Sequence, residues 1–251
     1  MLLASPRHRR DDLDIWSELE AADLEHYAAA GVDGKAARAV ELIGQFAAGG
    51  RCYASVSWGK DSTVLAHLMH RSRLGLPVGR VDQVGPGEDP HAADVRDSFL
   101  ARWPLAYVEV KVDLDRLPDD GGHSPALDRG IALLQGQFGT RRYLGGVRAA
   151  EAGIRKIGMR SRGLATANTC QPIGWWSTED VFAYLAWHRL PVHPSYAMLG
   201  GGRWDRRHIR VSILGGPKGN QFGRREWENE FYGDLVRRAR LAQRRPSRLS
   251  R

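Results

Sequence analysis

Apolar positions along the chain follow two different periods. Over residues 12–29, "DLDIWSELEAADLEHYAA", Leu13, Ile15, Trp16, Leu19, Leu24 and Tyr27 recur at near-helical spacing and predict an amphipathic helix. A second helix is expected from Asp33, read as its N-cap, through "GKAARAVELIGQFAA" to the Gly49-Gly50 stop. Then the pattern changes: "RCYASVS" (51–57) reads as a buried strand, and "DSTVLAHLMHRSR" (61–73) as a helix opening directly after it. Strand "LPVGRVDQV", helix "HAADVRDSFLARW" and strand "LAYVEVKVD" follow. Strands alternating with helices at this length predict parallel βαβ units. The fold class expected is therefore α/β, a Rossmann-like, doubly wound, mostly parallel sheet with helices on both faces.

Beyond residue 113 the pattern is weaker. "DRLPDDGGHSP" (115–125) reads as loop, "ALDRGIALLQGQF" as helix and "RRYLGGV" as a further strand. Ser177-x-x-Asp180 forms a capping box in front of the helical "VFAYLAWHR". Residues 190–223 are rich in Gly and Pro and irregular, and a last helix starts at Arg224.

Composition narrows the class. An apolar fraction of 42% supports a globular protein, and no run approaches the roughly 18–20 apolar residues of a membrane span. The opening apolar run is too short for a signal peptide, so a cytoplasmic protein without membrane contact is expected. Of the net charge of +8, seven units lie in residues 237–251, which hold seven Arg and no acid. The remaining body is nearly neutral. Such a tail either grips the phosphates of a nucleic acid or is a solvated end. Cys52 and Cys170 are the chain's two cysteines, too few for a disulfide framework, and no iron-sulfur cluster is expected from this chain.

The chemistry concentrates in "SVSWGKDST" (55–63). A strand delivers Ser57 to the carboxyl edge of the sheet, where open α/β folds bind ligands. Gly59 permits a tight turn, and the following helix aims free N-H groups and its positive dipole end at the same spot. Ser57, Ser62 and Thr63 add hydroxyls and Lys60 a mobile cation, a set suited to a di- or triphosphate. Asp61 repels phosphate, so its expected use is to hold Mg²⁺ or to fix the loop. The spacing is not that of a Walker loop, which needs Gly-x4-Gly-Lys-Ser/Thr.

Ser57-Trp58-Gly59-Lys60-Asp61-Ser62 resembles the Ser-Gly-Gly-x-Asp-Ser pyrophosphate loop (PP-loop) of the ATP pyrophosphatase superfamily, with Trp58 in place of the first Gly. Further on, Gly146, Arg148, Glu151 and Arg155 in "GVRAAEAGIR" fall in register with Gly-x-Arg-x-x-Glu-Ser-x-x-Arg of the phosphoadenosine-phosphosulfate (PAPS) reductase-like family, with Ala152 in place of Ser. "PIGWWSTEDVFAYLAWHRLPVHPSY" and "GEDPH" resemble further segments of that family, the latter being a Glu-x-Pro that follows an acidic residue near the adenosine. Asp82 takes that acidic place if two residues are inserted. The resemblance spans about residues 33–200 and implies an adenine nucleotide alpha hydrolase-like fold. It divides the chain into an N-terminal helical extension (1–32), a PP-loop nucleotide-binding domain (33–198) and a Gly-rich segment with C-terminal helix and basic tail (199–251).

The resemblance implies ATP with Mg²⁺ as cofactors, or alternatively PAPS. Lys60, Arg148 and Arg155 are the expected catalytic cations. Ser57, Trp58, Gly59, Asp61, Ser62, Thr63, Asp82 and Gly146 are expected at the nucleotide, and Asp61 at the metal. Reductases of the family attack sulfur with a cysteine near the C-terminus, and no cysteine follows Cys170. The expected activity is therefore transfer of adenylyl from ATP to an acceptor, either sulfate or a nucleic-acid oxygen, with release of pyrophosphate. Alternatives are a sulfonucleotide reductase and a nucleotide-binding subunit of a nucleic-acid modification complex, served by a sulfur-supplying or GTPase partner. His67-x-x-His70 lacks a third ligand and reads as structural, both cysteines read as small buried hydrophobes, and His193 and His208 lie where a substrate could approach.

Overall fold

The computed structural model describes residues 1–114, 124–215 and 221–243. Five parallel strands form one sheet: β1 (Tyr53–Ser55), β2 (Val78–Val84), β3 (Tyr107–Asp113), β4 (Tyr143–Leu144) and β5 (Thr169–Cys170). Their order is β3-β2-β1-β4-β5. Strand order reverses between β1 and β4, and in open α/β sheets that reversal opens a crevice at the carboxyl ends of the strands. The expected α/β architecture is thus observed.

Helices cover both faces. On one side α2 (Val32–Ala48), α3 (Lys60–Ser72), α4 (Ala92–Arg102) and α7 (Thr178–Trp187) enclose the main core, which includes Ile43, Leu65, Leu68, Phe99 and Tyr184. On the other, α5 (Pro125–Phe138) packs Ala126 and Leu134 on Val110 and Val112 of β3. The hydroxyl of Ser124 caps α5 by accepting the Leu127 N-H at 3.1 Å, and its own proton goes to Gln83 Oε1 at 2.6 Å. α6 (Gly153–Arg162) and α8 (Arg224–Gln243) complete the helices used below. No described helix is long and apolar enough to cross a membrane.

Helix α1 (Arg10–Ala29) lies against α7, where Trp16 meets Phe182 edge-on at 6.1 Å. Arg206 ties the pair together, reaching Asp23 at 2.6 Å while its guanidinium lies 4.1 Å over the Phe182 ring. Leu24, expected on the apolar side, is exposed instead. Asp33 is not the N-cap of α2: Gly31, in the left-handed conformation, takes that position. The Asp33 carboxylate accepts the Tyr27 hydroxyl at 3.3 Å, and Asp33 stands two residues too late to cap. The strand expected over 141–147 shrinks to two residues, and β5 was not anticipated. The Ser177 box is present, with Ser177 Oγ accepting the Asp180 N-H and Asp180 accepting the Ser177 N-H. Most of the loop expected at 115–125, and residues 244–251 of the basic tail, lie outside the described residues.

Candidate functional site

Between β1 and α3 the chain turns within four residues. Trp58 sits at φ 62° in the left-handed region, which favours glycine, and that explains why the resembling loops carry Gly there. The indole supports this conformation from outside the site. It is fully buried, packs on Phe99 and Tyr107, and donates Nε1-H to the Tyr107 hydroxyl at 3.2 Å. Trp58 therefore anchors the loop to the far face of the sheet and presents no side chain to a ligand. Ser62 organises the inside of the turn, accepting the Ser57 N-H at 3.1 Å and donating to the Gly59 carbonyl at 3.1 Å.

The next three charges form a single unit. Lys60 Nζ bonds Asp61 Oδ2 at 2.9 Å, and Arg148 Nε bonds Asp61 Oδ1 at 2.5 Å. Arg148 is 1% exposed and also donates to the Trp176 carbonyl and Thr178 Oγ1. It is a structural tie and lines neither lobe of the cleft described next, contrary to its expected place among the catalytic cations. Gly146 makes the tie possible, because a Cβ there would stand 3.1 Å from the Asp61 backbone. Burial works to lower the Lys60 pKa, but the neighbouring Tyr196 and Asp61 outweigh it, and the ammonium is held charged. The Tyr196 hydroxyl accepts the Lys60 N-H at 3.2 Å, and its ring lies 5.5 Å from Nζ.

Above this unit lies a cleft of two joined lobes. The polar lobe, about 470 Å³, is lined by Ser57, Gly59, Lys60, Asp61, Ser62 and Tyr196 from below and by Arg155, Arg210, Ser212 and Arg224 from above. The second, about 480 Å³, has a more apolar wall of Val56, Val81, Leu127, Ile131, Val147 and Ile213, with Gln83, Ser124 and Gly146 among its other lining groups. Ser57, Asp61, Ser62, Glu151, Arg155, Val211 and Ser212 are common to both. Arg155 stands on the rim, ion-paired with Glu151 and 40% exposed. Lys60, Arg155, Arg210 and Arg224 bring four cations to the polar lobe, where Lys60 pairs with Asp61, Arg155 with Glu151 and Arg224 with Glu228, a charge pattern suited to an anion.

Arg210, Ser212 and Arg224 were not anticipated from sequence. Arg224 fixes the overhanging strap by donating to the Arg210 carbonyl at 2.5 Å and to Ser212 Oγ at 3.1 Å, and the Leu214 N-H reaches the Gly87 carbonyl at 2.7 Å. Two expected contacts are absent from the cleft. Thr63 is buried in the first turn of α3 and lines neither lobe. Asp82 points to the opposite sheet face, where it bonds Arg80 at 2.6 Å; Arg80 continues to Glu109, and Glu109 accepts the Tyr107 hydroxyl that receives Trp58. Asp82 thus braces the back of the loop.

Mg²⁺ does not fit at Asp61 as expected, since each carboxylate oxygen already faces a cation. Among the described residues no group of three or more His, Cys, Asp or Glu could hold a metal. Asp61 fixes the loop through Arg148 and Lys60. His67 is structural, its Nδ1 bonded to the Tyr184 hydroxyl at 2.8 Å, and His193 is buried against Asp89 at 2.9 Å. His208 lines the polar lobe beside Phe222. Cys52 and Cys170 are both buried, and burial pushes the Cys170 thiol up to about 12.

No family profile matches the chain. The phosphoadenosine 5'-phosphosulfate reductase of Xanthomonas axonopodis pv. citri (strain 306) is 25% identical over 195 residues, covering 71% of this chain and 76% of its own length. That of Xanthomonas oryzae pv. oryzae (strain PXO99A) is 24% identical over 201 residues, with the same coverage. A phosphoadenylyl-sulfate reductase of Candida auris, solved with phosphate, shares the fold at a TM-score of 0.51 and 11% identity, over 72% of this chain and 93% of its own. In sequence the chain is thus similar to PAPS reductases, and with its parallel sheet in this order it shares the fold of the solved one.

Proposed function

We propose that this chain is an ATP pyrophosphatase-type enzyme that passes adenylyl from ATP to an acceptor and releases pyrophosphate. The observation that carries the proposal is the convergence of Lys60, Arg155, Arg210 and Arg224, with the Ser57 and Ser62 hydroxyls, on one cavity at the N-terminus of α3. The nucleoside occupies the more apolar lobe and the β- and γ-phosphates the polar one. An acceptor oxygen attacks the α-phosphorus, the bond from that phosphorus to the bridging oxygen breaks, and pyrophosphate departs with the extra negative charge. Lys60 is already charged and held by Asp61, so it meets that charge without reorganising. Arg155, on the rim between the lobes, is the group nearest to where the α-phosphate would lie. Mg²⁺ arrives with the nucleotide. The acceptor is sulfate or a nucleic-acid oxygen, and a sulfur-supplying or GTPase protein is the partner class that such chemistry would use.

The names of the relatives favour a second reading, reduction of PAPS itself. A thiolate would be needed, and the two cysteines of this chain are buried, with Cys170 far from ionising at neutral pH. The test is incubation with ATP, Mg²⁺ and candidate acceptors, with pyrophosphate as the readout. Pyrophosphate formed by the native chain and lost in Lys60→Ala supports adenylyl transfer. Thiol-dependent sulfite release from PAPS without pyrophosphate from ATP would establish the reductase instead. ATP binding without turnover until a second protein is added would make the chain a nucleotide-binding subunit.

A further inference from the structure

Beside the polar lobe lies a smaller chamber of about 230 Å³, walled by Trp204, Ile209 and Trp227 and joined to the lobe through His208, Phe222 and Arg224. It is below the roughly 300–1,000 Å³ typical of whole-ligand sites, a size that suits one ring system. At its mouth the Phe222 and His208 rings stack face to face, 3.8 Å apart and 2° from parallel. Phe222 is 64% exposed, so one ring face is open, and its backbone is left-handed at φ 57°. Bulky residues rarely adopt that conformation, and this one gains no burial in exchange. Arg203 and Arg224 line the chamber and Arg210 the adjoining lobe; the Arg203 side chain is 60% exposed and lies 4.5 Å over the Trp204 ring. An open aromatic face with arginines beside it is the kind of platform on which proteins stack a base of a single strand.

We propose that this chamber receives one nucleobase of a single-stranded nucleic acid, stacked on Phe222, while the adenine nucleotide occupies the two-lobed cleft. The proposal deepens the adenylyl-transfer reading and rests on it: the acceptor is then a nucleic acid, presented beside the phosphates. A single strand is the economical substrate, because its bases need little unstacking to enter.

The test uses the full chain saturated with a nonhydrolysable ATP analogue and titrated with one fluorescent single-stranded sequence, made as DNA and as RNA, by anisotropy. Expected is binding of at least one of the two, weakened at least fivefold by Phe222→Ala and restored by Phe222→Trp, with analogue affinity changed less than twofold. Because Phe222 is exposed, the variants should melt with the native protein, and the Arg tail is identical in all of them. Unchanged oligonucleotide affinity in Phe222→Ala, or no binding of either strand by the native chain, would overturn the proposal. So would an equal loss for the ATP analogue, which would show that the chamber holds the adenine of the nucleotide. If the native chain fails to bind the analogue at all, the nucleotide reading itself has failed, and this one with it.

Discussion

Trp58 shows how two residue-scale terms compete. Left-handed backbone at a bulky residue costs roughly 1–3 kcal/mol, whereas deleting a fully buried large aromatic costs roughly 3–5 kcal/mol. Burial should win: Trp58→Gly, although it brings in the glycine of the loops this one resembles, is expected to destabilise the protein by about 2 kcal/mol in denaturant unfolding. Arg148 and Arg155 separate in a similar way. Breaking a buried ion pair costs several kcal/mol, so Arg148→Ala should lower stability by about 3 kcal/mol. Arg155→Ala should change stability by less than about 1 kcal/mol and weaken ATP binding roughly tenfold, read by calorimetry. Sequence spacing put these two arginines in one motif but could not tell them apart. Their difference comes from Asp61, 87 positions earlier, which only the folded chain brings to Arg148.

The elements that were legible in the sequence are those whose own periodicity declares them, such as α3, β2, α4 and β3. β4 and β5 are two residues each, too short for any period, and are defined by pairing with β1 and with each other. Alternation on β2 separates Val81 and Gln83 from Arg80 and Asp82, but which set faces the cleft is decided by where α5 lies. Close packing of α5 on β2 requires Gly130, whose Cβ would collide with the Val81 side chain. Gly130→Ala is therefore expected to cost about 2 kcal/mol by overpacking. Because Val81, Leu127 and Ile131 wall the second lobe, adenosine affinity should fall in the same variant while affinity for pyrophosphate alone holds.

For the whole molecule, the α/β class was readable because its βαβ alternation is local, and the cleft was only half readable. Its floor is one contiguous loop, but its roof, Arg210, Ser212 and Arg224, comes some 150 residues later with no sequence pattern to mark it. Acid stability is a property at this scale too. Burial foremost, then His188, Arg71, His70 and Arg102, lowers the His67 pKa to about 3. The unfolded histidine titrates near 6.5, so between these values the unfolded chain binds the extra proton. Stability is full above about pH 6.5 and falls towards pH 4 by up to ~1.4 kcal/mol per pH unit from this group. Carboxylates with lowered pKa, such as Asp89 and Asp180, add their losses only below about pH 4. Unfolding free energy measured at pH 7 and pH 5 should show the drop, and His67→Gln should flatten it.

The Asp61-Arg148 tie has a last consequence, for the entropy of recognition. A loop already locked by a buried guanidinium has surrendered its conformational freedom during folding. Little then remains to be ordered if the proposed anion arrives, and its binding free energy can go almost wholly into affinity and charge stabilisation.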